Sequence, residues 1–378
     1  MSMLRKALYA LITASLFGAF MAGCGGGSAG TNPPPPPPPT AHEVLFASNS
    51  AGIQAFSINS STGMLTALAS TPDADLGQFI TGNMLSAASG KFLLAIDATA
   101  DHIKVFSINQ TTGGLTPVTG SPFAIGGGGS GSLAMDSSGK YLYAPFALGV
   151  AAFSFNSSTG FLSPLANSPF SDGSFPFAGA VDPSGKFLYT TGNTVDTGFS
   201  VYALNPGTGA LAPVVGSPFA TPLSTGPYNL VVAPAGLTVY ATVPSNNAVI
   251  GMTIDPVSGT PTPVAGSPFS AVDGDMFLGL APSGKFLYTC NNSNGTISAF
   301  SVNSADGSLT PIAGTPFGFS NCSATVAVNP GKYLYAANPG GNAITGFSID
   351  ATTGVLTMLS GSPFPAAGAT LITIATLH

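Results

Sequence analysis

Asp101 and His102 place an acid directly beside a histidine, the combination a hydrolase uses as general base and orienting group. Consecutive side chains on a strand point to opposite faces, so the two neighbours are poorly placed to cooperate, and an exposed loop histidine is the expectation. His42, beside an N-terminal tether, and His378, the last residue, are weaker candidates. Asp73 with Asp75, and Asp273 with Asp275, place carboxylates one residue apart, a spacing that can meet one hard cation such as calcium. Neither pair completes a calcium-loop pattern and six or more oxygens are needed, so solvated turns are expected, with no metal and no cofactor. Cys290 and Cys322 remain as an even pair once Cys24 is set aside, and an exported protein can join or leave open such a pair.

The charge inventory narrows the ligands. The chain of 378 residues has a formal net charge of −6, and Arg5 is its only arginine. Arg5 and Lys6 precede an apolar run from Ala7 to Ala22, the order of an export signal. Met21-Ala22-Gly23-Cys24 resembles a bacterial lipobox with methionine in the usual leucine position, which implies removal of residues 1–23 and acylation of Cys24; ordinary secretory cleavage is the alternative. Gly25 in place of an aspartate favours outer-membrane sorting. Residues 24–41 are rich in glycine and hold seven prolines, Pro33 to Pro39, a tether that has nothing to bury. Its proline run spans roughly 20 Å at about 3.1 Å per residue. The expectation is an exported protein, anchored to a membrane by lipid and not spanning it. Past the signal, six lysines face fourteen acids, a net charge of minus eight. An acidic chain without arginine cannot neutralise a phosphate backbone, so nucleic acid is excluded as a partner, and anionic small molecules are disfavoured. A monomer is expected.

The elements that must position these residues are repeats. Ser-Pro-Phe or Thr-Pro-Phe begins at Ser121, Ser168, Ser217, Ser267, Thr315 and Ser362, with a degenerate Thr71-Pro72 ahead of them. The intervals are 50, 47, 49, 50, 48 and 47 residues, the period of a supersecondary unit that cannot bury its own apolar face alone. Each unit holds four short runs with the period-2 alternation of half-buried strands. The third run recurs in register, from Phe56-Ser57-Ile58-Asn59 to Phe347-Ser348-Ile349-Asp350, and each closing Asn or Asp precedes a glycine turn whose backbone it can bond. The prolyl phrases themselves are expected to plug the gaps between units with aromatic rings and to stiffen the outer strand. Four-stranded units of this length predict an all-β, seven-bladed propeller with antiparallel blades. Val44 to Ala47 matches a second strand and Thr370 to Ile374 a first strand, so the C-terminal strand is expected to complete the N-terminal blade and close the ring over residues 42–378.

The phrase Pro-Ser-Gly-Lys-Phe-Leu-Tyr, complete at 183–189 and 282–288, followed by the Phe-Ser-Ile-Asp type of strand, resembles the seven-bladed lactonase family, which includes 6-phosphogluconolactonase. The resemblance covers about residues 42–378. It implies the propeller and, as an activity, lactone hydrolysis by histidine, arginine and acidic side chains on one face. Here the positions eight residues before the repeat lysine hold Asn83, Ser132, Ala178, Phe277 and Ala324, none of them histidine. Five of the six lysines fall in the turn between first and second strands, on the face away from the family's active site. The opposite face, built from second-to-third and fourth-to-first connections, gathers Asp97, Asp101, His102, Asp172, Asn193, Asp196, Asn246, Asn291 and Asn321. Such acids and amides suit an uncharged carbohydrate or a protein ligand, although Asn, Asp and Gly also simply make good turns. The reading is a binding platform; the alternative is a hydrolase of a neutral sugar lactone.

Overall fold

The computed structural model describes residues 42–49, 52–68, 84–97, 101–127, 131–171, 173–192, 198–223, 225–236, 238–271, 275–291, 293–318, 322, 324–327 and 331–378, with 275, 276 and 324–327 described as backbone only. The expected export signal, Cys24 and tether lie outside these residues. Residues 42–378 form a seven-bladed β-propeller of antiparallel sheets. In chain order from blade 1 the inner strands are Leu371–Leu377, Met84–Ala87, Ala134–Met135, Pro176–Val181, Leu230–Val232, Asp275–Leu280 and Ala324–Ala327. Blade 6 is typical: Asp275–Leu280 pairs with Phe286–Asn291, which pairs with Thr296–Val302, which pairs with Leu309–Pro311. Blade 1 takes its inner strand from the far end of the chain, with His42 opposite Leu377 and Ser48 opposite Leu371. The ring is closed by this pairing.

The burial of the second strands departs from the half-buried expectation. Phe92–Asp97, Phe187–Gly192, Thr238–Val243, Phe286–Asn291 and Tyr333–Asn338 are buried at every residue, because each blade is covered on both faces by its neighbours. That placement lets the tyrosine of the repeated phrase reach the next blade. The hydroxyls of Tyr143, Tyr240, Tyr288 and Tyr335 donate to the carbonyls of Gly209, Gly307, Gly354 and Gly63 at 3.0, 2.7, 2.9 and 2.6 Å. The last bond spans the closure from blade 7 to blade 1. Gly63 has φ +71°, and a Cβ there would lie 2.6 Å from the Tyr333 ring, so the acceptor position admits only glycine. Burial raises the phenol of Tyr240 to about 12 and raises those of Tyr143, Tyr288 and Tyr335 as well, so all four remain neutral donors. The Tyr189 hydroxyl is buried with no hydrogen-bond partner among the described residues. Tyr335→Phe is therefore expected to cost about 1–3 kcal/mol by orphaning a buried carbonyl, and Tyr189→Phe to be neutral or stabilising, as read by denaturant titration.

The prolyl phrase has a role beyond an aromatic plug. It breaks the outer strand, and the pieces on either side, such as Leu115–Pro117 and Phe123–Ala124, both pair with the third strand. The break would orphan one third-strand N–H per blade. In six blades the Ser or Thr hydroxyl of the phrase accepts that N–H, from Val105, Ala152, Val201, Gly251, Ala299 and Gly346, at 2.9–3.1 Å. Serine and threonine interchange there because the hydroxyl is what the site requires.

Turns on one face are equally regular. The Asn or Asp ending each third strand accepts the backbone N–H two residues on and, in six of the seven blades, the one three residues on as well, for example Asn59 from Ser61 and Thr62, both at 3.0 Å. Lys91, Lys140, Lys186, Lys285 and Lys332 stand exposed on this same face, each just before a second strand.

Candidate functional site

The second-to-third and fourth-to-first connections gather on the other face. Where second and third strands meet there, antiparallel register places one residue diagonally from a residue of the partner strand, and most blades fill this position with polar groups. In blade 6 the Asn291 amide donates to Thr296 Oγ1 at 2.8 Å and Ser298 Oγ at 3.0 Å. In blade 2 the same two positions hold Asp97 and Lys104, an ion pair at 3.3 Å with side chains only 7 % and 12 % exposed. It is the one salt bridge among the described residues. Two expected ligand-face residues thus turn out to point inward: Asn291 is fully buried with its amide spent inside blade 6, and Asp97 is committed to Lys104.

Asp101 and His102 do not share a strand. Asp101 sits in the turn with φ +54°, its carbonyl accepting from Ile125 N–H at 2.8 Å, and the third strand begins at His102. The register partner of His102 is Asp97, not Asp101, and Nδ1 of His102 is buried without a hydrogen-bond partner among the described residues. Asn246 lies exposed in a short 3-10 turn and accepts from the Thr225 hydroxyl. Asp73, Asp75, Asp172, Asn193, Asp196, Asp273 and Asn321 lie outside the described residues, and Asp275 is described only as backbone. Among the described residues no three His, Cys, Asp or Glu side chains converge on a point. Cys290 and Cys322 are joined as a disulfide with Cα atoms 5.5 Å apart, tying blade 6 to the segment that leads into blade 7.

An aromatic group occupies the inner circumference of blades 4 to 6. Phe177 and Tyr228 have ring centroids 4.7 Å apart at 37°, and Tyr228 meets Phe277 edge-on at 6.3 Å. All three side chains are half-buried. Phe177 lies where the inner strand of blade 4 loses register between Pro176 and Gly179, and Phe277 where that of blade 6 does so between Asp275 and Phe277. Such bulges re-aim a side chain. The Tyr228 backbone is held by Thr242, whose carbonyl accepts its N–H at 2.8 Å, and by the Thr191 hydroxyl, which donates to its carbonyl at 3.1 Å. Burial raises the Tyr228 phenol, keeping it protonated. Gly131 of blade 3 passes against Phe177, where a Cβ would lie 2.8 Å from two ring carbons. In the sequence this group carries no charge to mark it. Its only signal is an aromatic residue near the start of three successive inner strands.

Of the positions where the family expects histidine, Ser132 accepts the Gly179 N–H at 2.8 Å and Ala178 donates its N–H to Thr191 Oγ1 at 3.1 Å. Both fasten inner strands. The arrangement can hold an uncharged molecule by rings, amides and hydroxyls, and among the described residues it presents no cationic clamp.

Comparison with known proteins agrees with this architecture. The family described as "Lactonase, 7-bladed beta-propeller" matches residues 181–373, just over half the chain. A candidate 6-phosphogluconolactonase of Bacteroides fragilis superposes with a TM-score of 0.76 at 19% identity, covering 90% of this chain and 99% of that one. The periplasmic gluconolactonase of Pseudomonas aeruginosa superposes with a TM-score of 0.74 at 16% identity, covering 90% and 100%. No curated protein sequence matches. Since the family match runs from the inner strand of blade 4 through blade 7 and into the closing strand of blade 1, the chain belongs to the seven-bladed β-propeller lactonase family.

Proposed function

We propose that this protein is exported, carries lipid on Cys24, and works outside the cytoplasm as a binding platform that takes a neutral carbohydrate on the face opposite its lysines. The observation that carries the reading is the disposition of the six lysines that follow the expected export signal. Five stand on the far face, and the sixth, Lys104, is already paired with Asp97. A phosphosugar brings roughly two negative charges and is normally met by arginine forks or several lysines. Neutral hydroxyls instead meet amides, hydroxyls and aromatic faces. Thermal shift with neutral monosaccharides and with 6-phosphogluconate tests the reading. A tight neutral ligand is expected to raise the melting temperature by a few degrees through mass action, and the phosphorylated sugar to leave it unmoved. A larger shift with the phosphorylated compound sinks the proposal. For the anchor, Cys24→Ser is expected to move the protein from the membrane fraction to the soluble one; an unchanged partition removes that part.

Family membership favours a second reading, hydrolysis of an uncharged sugar lactone, and the likeness to a periplasmic gluconolactonase supports a neutral one. Ring opening of δ-gluconolactone well above its spontaneous rate would replace the platform with this reading. No acceleration across neutral lactones retires it.

A further inference from the structure

We infer that the anchored protein lies with its lysine face toward the membrane and presents the opposite face, the one built from second-to-third and fourth-to-first connections, away from the lipid. The inference rests on acylation of Cys24 and adds which surface a soluble partner can reach. The chain enters the propeller on the lysine face. His42 opens the second strand of blade 1, opposite Leu377, and the second strands of blades 2, 3, 4, 6 and 7 begin on that same face, one residue after Lys91, Lys140, Lys186, Lys285 and Lys332. The last strand ends there as well, where the His378 N–H donates to the Gln110 side chain at 3.1 Å. Attachment through residues 24–41 therefore pulls on one face of the disc only.

Reach decides the orientation. Relaxed, the nine residues 24–32 span about 15–18 Å as a glycine-rich coil and the seven prolines roughly 20 Å. With the lysine face toward the lipid, that is enough. To bring the other face to the lipid, the tether must cross the third and fourth strands to the rim, about 10 Å at roughly 4.8 Å per strand, and then run the height of a blade. A second strand of six residues is itself about 20 Å tall. The path is at least about 30 Å before turns and side chains are counted, so the tether would have to be drawn out and held along the protein surface, at a loss of chain entropy. Charge does not set the orientation, because the five exposed lysines share their face with Asp136, Asp182, Asp255, Asp306 and Asp350.

The chain contains no tryptophan, so one introduced indole is a unique reporter. Val257 lies 87% exposed in a blade 5 turn on the lysine face, and Leu148 60% exposed in a blade 3 turn on the other. Full-length, lipid-bearing Val257→Trp and Leu148→Trp are placed on vesicles of phosphatidylcholine and phosphatidylglycerol that carry a dansyl-headgroup lipid, and energy transfer from indole to dansyl is measured. Transfer is expected to be about three-fold or more higher for Val257→Trp, because at least one strand length, about 20 Å, separates the two faces. The ratio is expected to hold in high salt, since the tether and not charge sets it. Ser61→Trp on the lysine face and Phe175→Trp on the other form a second pair if melting curves show either first variant misfolded. Equal transfer, higher transfer for Leu148→Trp, or a ratio that collapses in high salt overturns the inference and leaves the lipid anchor standing. Unmutated protein that carries no acyl mass on Cys24 and fails to float with the vesicles removes the anchor and this inference together.

Discussion

Deleting residues 370–378 is expected to abolish the cooperative melting transition and to drive the protein into the insoluble fraction. The lost strand pairs with His42 to Ser48 along its length and buries Leu371, Ile372 and Leu377. Burial of three such side chains contributes about 5–9 kcal/mol at roughly 1.5–3 kcal/mol each, comparable with the whole stability of a typical domain. The hydroxyl contact between Ser48 and Thr370 and the bond from Leu371 N–H to Ser48 Oγ go as well. What remains is a blade of three strands, with Val44, Leu45, Phe46 and Ala47 facing the gap. An unpaired, apolar strand edge is a template for association with other chains. A truncated protein that stays soluble and melts as the parent does would show that the closure contributes little.

Lys104→Met is expected to destabilise the protein by about 3–5 kcal/mol, since it leaves the buried Asp97 carboxylate without its counter-ion. The double variant Asp97→Asn/Lys104→Ser is expected to recover to within about 1 kcal/mol of the parent, because replacing a buried ion pair as a unit is often close to neutral. It copies the Asn291 and Ser298 pair that already occupies the equivalent place in blade 6. Chemical denaturation of Asp97→Asn, Lys104→Ser and the double variant gives the coupling energy directly. Additive losses would mean that the two side chains act separately. Recovery would instead identify the charged pair as a variant of a polar position used around the ring, which agrees with assigning Lys104 no part in gripping an anion.

The exposed turn residues explain why some expectations translated easily and others did not. Asn59 and its counterparts bond backbone atoms two and three residues away, so the contact is contained in a stretch of sequence shorter than the turn. The expected ligand face failed at Asn291 and Asp97 for the opposite reason. Both are polar residues next to a loop, which reads as exposure, yet their partners lie across the strand pair and leave them inside the blade. The expectation of an exposed loop histidine failed because His102 opens the third strand opposite Asp97, which leaves its ring half-buried with Nδ1 enclosed.

A repeat of 47 to 50 residues, glycine and proline at regular offsets, and two incomplete ends that complement one another were enough to establish the number of blades, their strand order and the way the circle closes. These are short-range patterns copied seven times, and repetition averages away the ambiguity of any one copy. Three of the four tyrosine-to-glycine bonds join residues 66 or 67 apart and the fourth, Tyr335 to Gly63, residues 272 apart, while Phe177, Tyr228 and Phe277 come from three successive repeats and meet only because the inner strands of blades 4 to 6 lie side by side. Periodicity carries no record of such meetings. They arise from blade curvature and from packing between neighbours, which come into being when the chain is folded.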